Sequence, residues 1–106
     1  MEYPKLPSFR LDGKNALITG AGRGIGMGAS IALAESGAKV TLVSRTESEL
    51  RALTNHINSL GLKATYETLD VNNENEIENL INKSNPFDIL INNAGTNRPA
   101  KLIDTD

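Results

Sequence analysis

Short apolar runs alternate along the chain with stripes of apolar residues at helical spacing. Residues 15–19, Asn-Ala-Leu-Ile-Thr, form an apolar run that stops at a cluster of glycines and predicts a buried strand. Over 24–36 the chain is rich in Ala, Ile and Leu, which predicts a helix with Gly37 just past its end. A second strand is predicted over 39–43, where β-branched residues recur. Thr46 and Glu49 then have the spacing of a capping box, and Leu50, Leu53, Ile57 and Leu60 mark one apolar helix face closed by Gly61. The run 63–69 predicts a third strand, more polar than the others, as suits an outer position. Asn73 and Glu76 repeat the capping spacing ahead of Ile77, Leu80 and Ile81, and Pro86 ends that helix. Residues 88–92, centred on Ile89, Leu90 and Ile91, predict a strand buried on both faces.

Four strands and three helices in strict alternation predict an α/β fold with a doubly wound parallel sheet of the Rossmann type. Right-handed crossovers give the strand order 3-2-1-4. In such a sheet ligands bind outside the carboxyl ends of the strands, where the order reverses between the first and fourth. The candidate chemistry collects at those ends.

The length of 106 residues suits one domain, read as the N-terminal cofactor-binding part of a Rossmann domain with 1–12 as an arm. A net charge of -2 gives no basic field for nucleic acid or an anionic membrane surface. No apolar run approaches the length of a membrane span, and the first twelve residues, broken by Pro4 and Pro7, lack the apolar core of a signal peptide. Without cysteine there is neither a disulfide framework nor a thiolate metal site, and a cytoplasmic location is the simplest expectation. His56 stands alone on a helix surface, and the acids at 74, 76 and 78 read as a solvated helix face.

Gly20, Gly22, Gly24 and Gly26 lie between a strand and a helix, where a pyrophosphate needs backbone amides, the positive end of a helix and no obstructing side chains. The spacing excludes a Walker loop, because no glycine in the turn is followed by Lys and then Ser or Thr. It fits T-G-x-x-x-G-x-G, with Arg23 and Ile25 inside the turn. Where an NAD site usually places an acid, at the end of the second strand, this chain has Ser44-Arg45. Arginine matches a 2′-phosphate far better than a bare hydroxyl, which favours NADP over NAD, with Arg23 as a possible second cation. The same arginine argues against a methyltransferase, which would hold a ribose with an acid there.

With these motifs the chain resembles the short-chain dehydrogenase/reductases. The resemblance runs from Leu11-Asp12-Gly13-Lys14 onward and is carried by the glycine turn, by Asp70-Val71 after the third strand, and by Asn92-Asn93-Ala94-Gly95 after the fourth. It implies that Asp70 and Val71 border the adenine ring and that Asn92, Asn93, Ala94 and Gly95 line the cofactor and tie neighbouring strands. It also implies hydride transfer with a small alcohol or carbonyl substrate in a homo-oligomeric parent. The family's acid/base is a Tyr-x-x-x-Lys pair, whereas Tyr3 is followed at that spacing by Pro7 and Tyr66 by Asp70. No catalytic residue is therefore assigned. The chain is expected to be the front portion of a longer enzyme, inactive alone, with a bare edge on its fourth strand. A non-catalytic nucleotide-binding module that keeps only the cofactor half is the alternative.

Overall fold

The structure, a computed structural model, describes residues 10–93; Ala94, Gly95 and the first nine residues of the arm lie outside them. The elements run β1 (Asn15–Thr19), α1 (Gly24–Glu35), β2 (Lys39–Ser44), α2 (Glu47–Ser59), β3 (Ala64–Thr68), α3 (Glu74–Lys83) and β4 (Ile89–Asn92). All strand pairs are parallel, in the order β3-β2-β1-β4. The register sets Thr19 beside Val43 and Asn92, and Ser44 beside Thr68, so the carboxyl ends share one rim.

Alternation along the central strands divides the core between two faces. Ala16 and Ile18 of β1, with Val40 and Leu42 of β2, pack against Ala34 of α1 and Leu50, Leu53 and Ile57 of α2. On the opposite face Leu17 and Val43 meet Leu80 of α3, flanked by Leu69, Val71 and Phe87. Helices thus cover both faces, as a doubly wound sheet requires. Removing Leu17, Ile18, Leu42, Leu50 and Ile57 fully from water supplies roughly 1.5–3 kcal/mol of transfer energy for each.

The helix ends follow local chemistry. Beyond α1, the Gly37 amide donates to the Ala34 carbonyl and the Ala38 amide to the Leu33 carbonyl, which is a Schellman closure with Gly37 at φ +106°. Gly61 and Leu62 close α2 in the same way on Asn58 and Ile57. Arg10 ties the arm to the first closure, donating from Nη1 to the Glu35 carbonyl and from Nη2 to Asp12. That hydrogen bond holds the Asp12 carboxyl below its ordinary range. Its contribution is present above the usual carboxylate pKa and disappears as pH falls through the lowered one.

Several expectations need correction. The Thr46–Glu49 capping box does not form: the Thr46 side chain makes no cap bond, its amide donates to Ser44 Oγ, and Glu49 turns toward α1. Asn73 does cap α3, accepting from the amides of Asn75 and Glu76, but the Glu76 carboxylate reaches the Asp70 amide, not that of Asn73. Leu60 and Ile81 end their stripes exposed, outside the core that the stripes otherwise join. The fourth strand is covered on one face only. Ile89 and Ile91 are half-buried against the larger core, whereas Leu90 points away from it and is 63% exposed.

A paired substitution measures that asymmetry. Ile57→Ala should cost about 2–5 kcal/mol in urea unfolding, the usual range for a buried aliphatic truncation. Leu90→Ala should cost less than about 0.5 kcal/mol, as surface changes do. Equal costs would mean that the outer face of β4 is covered in solution.

Candidate functional site

The rim made by the carboxyl ends of the strands is held by hydrogen bonds between β1 and the end of β4. Thr19, the last residue of β1, donates its hydroxyl to Asn92 Oδ1 at 2.9 Å, and the Asn93 amide donates to the Thr19 carbonyl at 3.3 Å. Asn93 Nδ2 then donates to the Gly20 carbonyl at 3.3 Å. Asn92 and Asn93 therefore lock β4 to β1 at the point where the chain enters the glycine turn. At the other end of the same strand pair, the Asn15 amide donates to Asp88 Oδ2. Ala94 and Gly95 lie outside the described residues.

The glycines of the turn answer different demands. Gly24 opens α1 at φ +51°, a left-handed conformation that strains other residues, and the space where its β-carbon would stand is open. A β-carbon on Gly26 would collide with the Gly20 carbonyl and stand 2.7 Å from Asn93 Nδ2, so α1 packs onto β1 only with glycine there. One turn further, Ser30 is fully buried and donates to the Gly26 carbonyl at 2.7 Å, and Ala34 follows on the same face. This line of small residues lets the first turn of α1 stand close to the sheet.

Its opening leaves α1 exposed electrostatically. Arg23 occupies the N-cap position with extended backbone and no side-chain cap, and no acid lies in the first turn. The other two helices differ, since α2 carries Glu47 and Glu49 in its first turn and α3 has the Asn73 cap with Glu74 and Glu76. The orphan amides and the positive end of α1 thus face the rim without an internal anion of their own first turn. Ile25 projects there, 80% exposed.

Around this centre the other candidate residues take up their places. Ser44 ends β2 with its hydroxyl turned to the Thr46 amide, and Arg45 is exposed beside it, making no hydrogen bond or ion pair among the described residues. Asp70 is half-buried beyond β3, accepts from the Asn72 amide and borders a shallow polar concavity with Asn72, Asn73, Glu74 and Asn75. Val71 turns into the smaller core with Leu17 and Leu80. Arg23 is not a free cation: its Nε donates to Glu49 Oε2 at 2.9 Å. Sequence spacing assigned Glu49 to a helix cap and so missed it as a neighbour of the turn. The sequence marks Thr19 as the end of the first strand and the start of the glycine turn, but its hydroxyl bond to Asn92 was not legible there. Among the described residues no cluster of three or more His, Asp or Glu side chains could hold a metal ion, and no helix is long and apolar enough to cross a membrane.

A parallel sheet in the order β3-β2-β1-β4 with alternating helices is an α/β fold of the Rossmann type. The family described as short chain dehydrogenase matches residues 14–106, and the chain belongs to that family. Gluconate 5-dehydrogenase of Gluconobacter oxydans is 39% identical over 106 residues, covering 96% of this chain and 41% of that protein. Among solved structures, hydroxysteroid dehydrogenase from Escherichia coli superposes with a TM-score of 0.77 at 39% identity, covering 84% of this chain and 40% of that one. L-Sorbose reductase from Gluconobacter frateurii, complexed with NADPH and L-sorbose, gives a TM-score of 0.76 at 29% identity over 85% of this chain and 36% of its own. The chain spans about two fifths of the length of the curated relatives it matches.

Two glycines of α1 provide a stability test of the site's construction. Gly26→Ala should destabilise the fold by about 1–3 kcal/mol, the usual cost of overpacking. Gly28 has nothing within 4 Å of its β-carbon position, so Gly28→Ala should stabilise the helix by about 0.5–1 kcal/mol. Thermal denaturation of the two variants side by side checks both signs.

Proposed function

We propose that this chain holds the adenosine and pyrophosphate portion of NADP for an oxidoreductase that moves hydride between nicotinamide and a small alcohol or carbonyl substrate. The observation that carries the reading is the start of α1, where the helix dipole and unpaired amides meet open space at Gly24 and Gly26 admits no side chain. Those features fit a pyrophosphate, which needs donors and close backbone approach. Family membership and the NADPH complex of L-sorbose reductase support the same reading.

Apart from Arg23, which is paired with Glu49, each candidate residue has a part in it. Gly20, Gly22, Gly24, Ile25 and Gly26 form the phosphate turn, and Asp70 and Val71 border the adenine. Asn92 and Asn93, continuing to Ala94 and Gly95, line the ribose and nicotinamide side while holding β4 to β1. Ser44 and Arg45 meet the 2′ position of the adenosine ribose, where a guanidinium pairs with phosphate in a fork that a hydroxyl does not offer. When bound, the nicotinamide supplies the hydride acceptor or donor. The chain's own residues bind and orient, and none of those described is assigned the proton transfer that the reaction also needs.

Calorimetric titration of the chain with NADP and with NAD tests the reading, and NADP should bind more tightly. Arg45→Asp should lower the NADP affinity relative to NAD by about ten- to a hundredfold, the equivalent of one charge-assisted contact. An unchanged ratio would remove Arg45 from the site.

A further inference from the structure

Glu49 is placed by tertiary packing, not by its own helix, against the turn. Its Cβ and Oε1 each stand 2.9 Å from the position a β-carbon on Gly22 would take. Glycine at position 22 is thereby explained by the room Glu49 needs. Through Oε2 the same carboxylate accepts from Arg23 Nε at 2.9 Å. The Glu49 side chain is only 30% exposed, whereas Arg23 is 80% exposed, so the anion is lodged and the cation leans on it from solvent. Glu47, two residues earlier on α2, is engaged with Arg51 and Tyr66, and Arg45 has no counter-ion among the described residues.

These charges stand where the glycine turn meets the end of β2, the corner at which a Rossmann site distinguishes a ribose 2′-hydroxyl from a 2′-phosphate. We propose that Glu49 is a specificity-determining residue that opposes a 2′-phosphate: its lodged charge neutralises Arg23 and leaves Arg45 as the selecting cation. The inference rests on the dinucleotide reading of the site given above. A 2′-phosphate carries close to two negative charges and would bind within a Debye length of this carboxylate, so repulsion acts even across water. With no side-chain cap at Thr46, the first turn of α2 also gains from the negative charge of Glu49. The same group therefore serves α2 and tempers the preference for NADP.

The test is calorimetric titration of the full chain with adenosine 2′,5′-bisphosphate and with adenosine 5′-monophosphate. Glu49→Gln keeps the shape against Gly22 and an acceptor for Arg23 while removing the charge. The ratio of bisphosphate to monophosphate affinity should rise about three- to tenfold, and the gain should shrink as salt is added. Glu49→Ala should move the ratio the same way, which a residue that merely positions Arg23 would not do. Arg23→Ala should change the ratio little in the parent chain and lower it in the Glu49→Gln background. A ratio unchanged or lowered by Glu49→Gln overturns the inference and leaves the site reading standing, provided bisphosphate binding still depends on Arg45. If neither the parent chain nor its variants bind either nucleotide, the site reading fails and the inference falls with it.

Discussion

The close approach of α1 to the end of β1 is the constraint on which the rest of the rim depends. Gly26 sits where any β-carbon would strike the Gly20 carbonyl, and Asn93 Nδ2 donates to that same oxygen. Helix, first strand and fourth strand are thus fastened at one atom. The Thr19 hydroxyl on Asn92 and the Asn93 amide on the Thr19 carbonyl extend the fastening along β4. Because α1 is held this near, its first amides open directly onto the rim, and every neighbouring strand end is positioned relative to them.

Capping is distributed unequally among the three helices of the described residues. Asn73 satisfies two amides of α3, and acids occupy the first turns of α2 and α3. Only α1 begins with an arginine at the cap position and no acid behind it. A Ser, Thr, Asp or Asn at that position would add about 1 kcal/mol to helix stability. Leaving it out fits the proposed role of the turn, in which those donors meet an external anion. Glu49 complicates that simple division, since a residue of α2 brings negative charge back to the edge of the turn and holds Arg23 there.

The sheet itself is finished unevenly. On one face α1 and α2 bury a continuous cluster from Ala16 to Ala64, and on the other α3 covers only Leu17 and Val43 with their neighbours. The family's relatives are more than twice as long as this chain, and β4 with its exposed Leu90 is where the described residues stop being covered. The rim containing the glycine turn lies at the carboxyl ends of the strands, where Asn92 and Asn93 hold β4 to β1.

Element type and order were legible in the sequence because each rests on local chemistry. Periodicity marks the strands and helix faces, Gly37 and Gly61 mark two helix ends, and the glycine turn, Asp70, Asn92 and Asn93 stand at strand ends as the sequence order implies. The strand order followed from crossover handedness. What sequence spacing misjudged were contacts between elements far apart in the chain. Thr46 and Glu49 have the spacing of a capping box, yet Glu49 meets Gly22 and Arg23, and Glu76 reaches Asp70. The buried face expected for Leu90 likewise depended on neighbours that local pattern does not specify. Sequence determined which residues can turn, cap or bury, since those preferences belong to single residues and their nearest neighbours. Tertiary structure alone decided which carboxylate faces which cation, because an ion pair forms wherever packing brings two side chains within reach, irrespective of their separation along the chain.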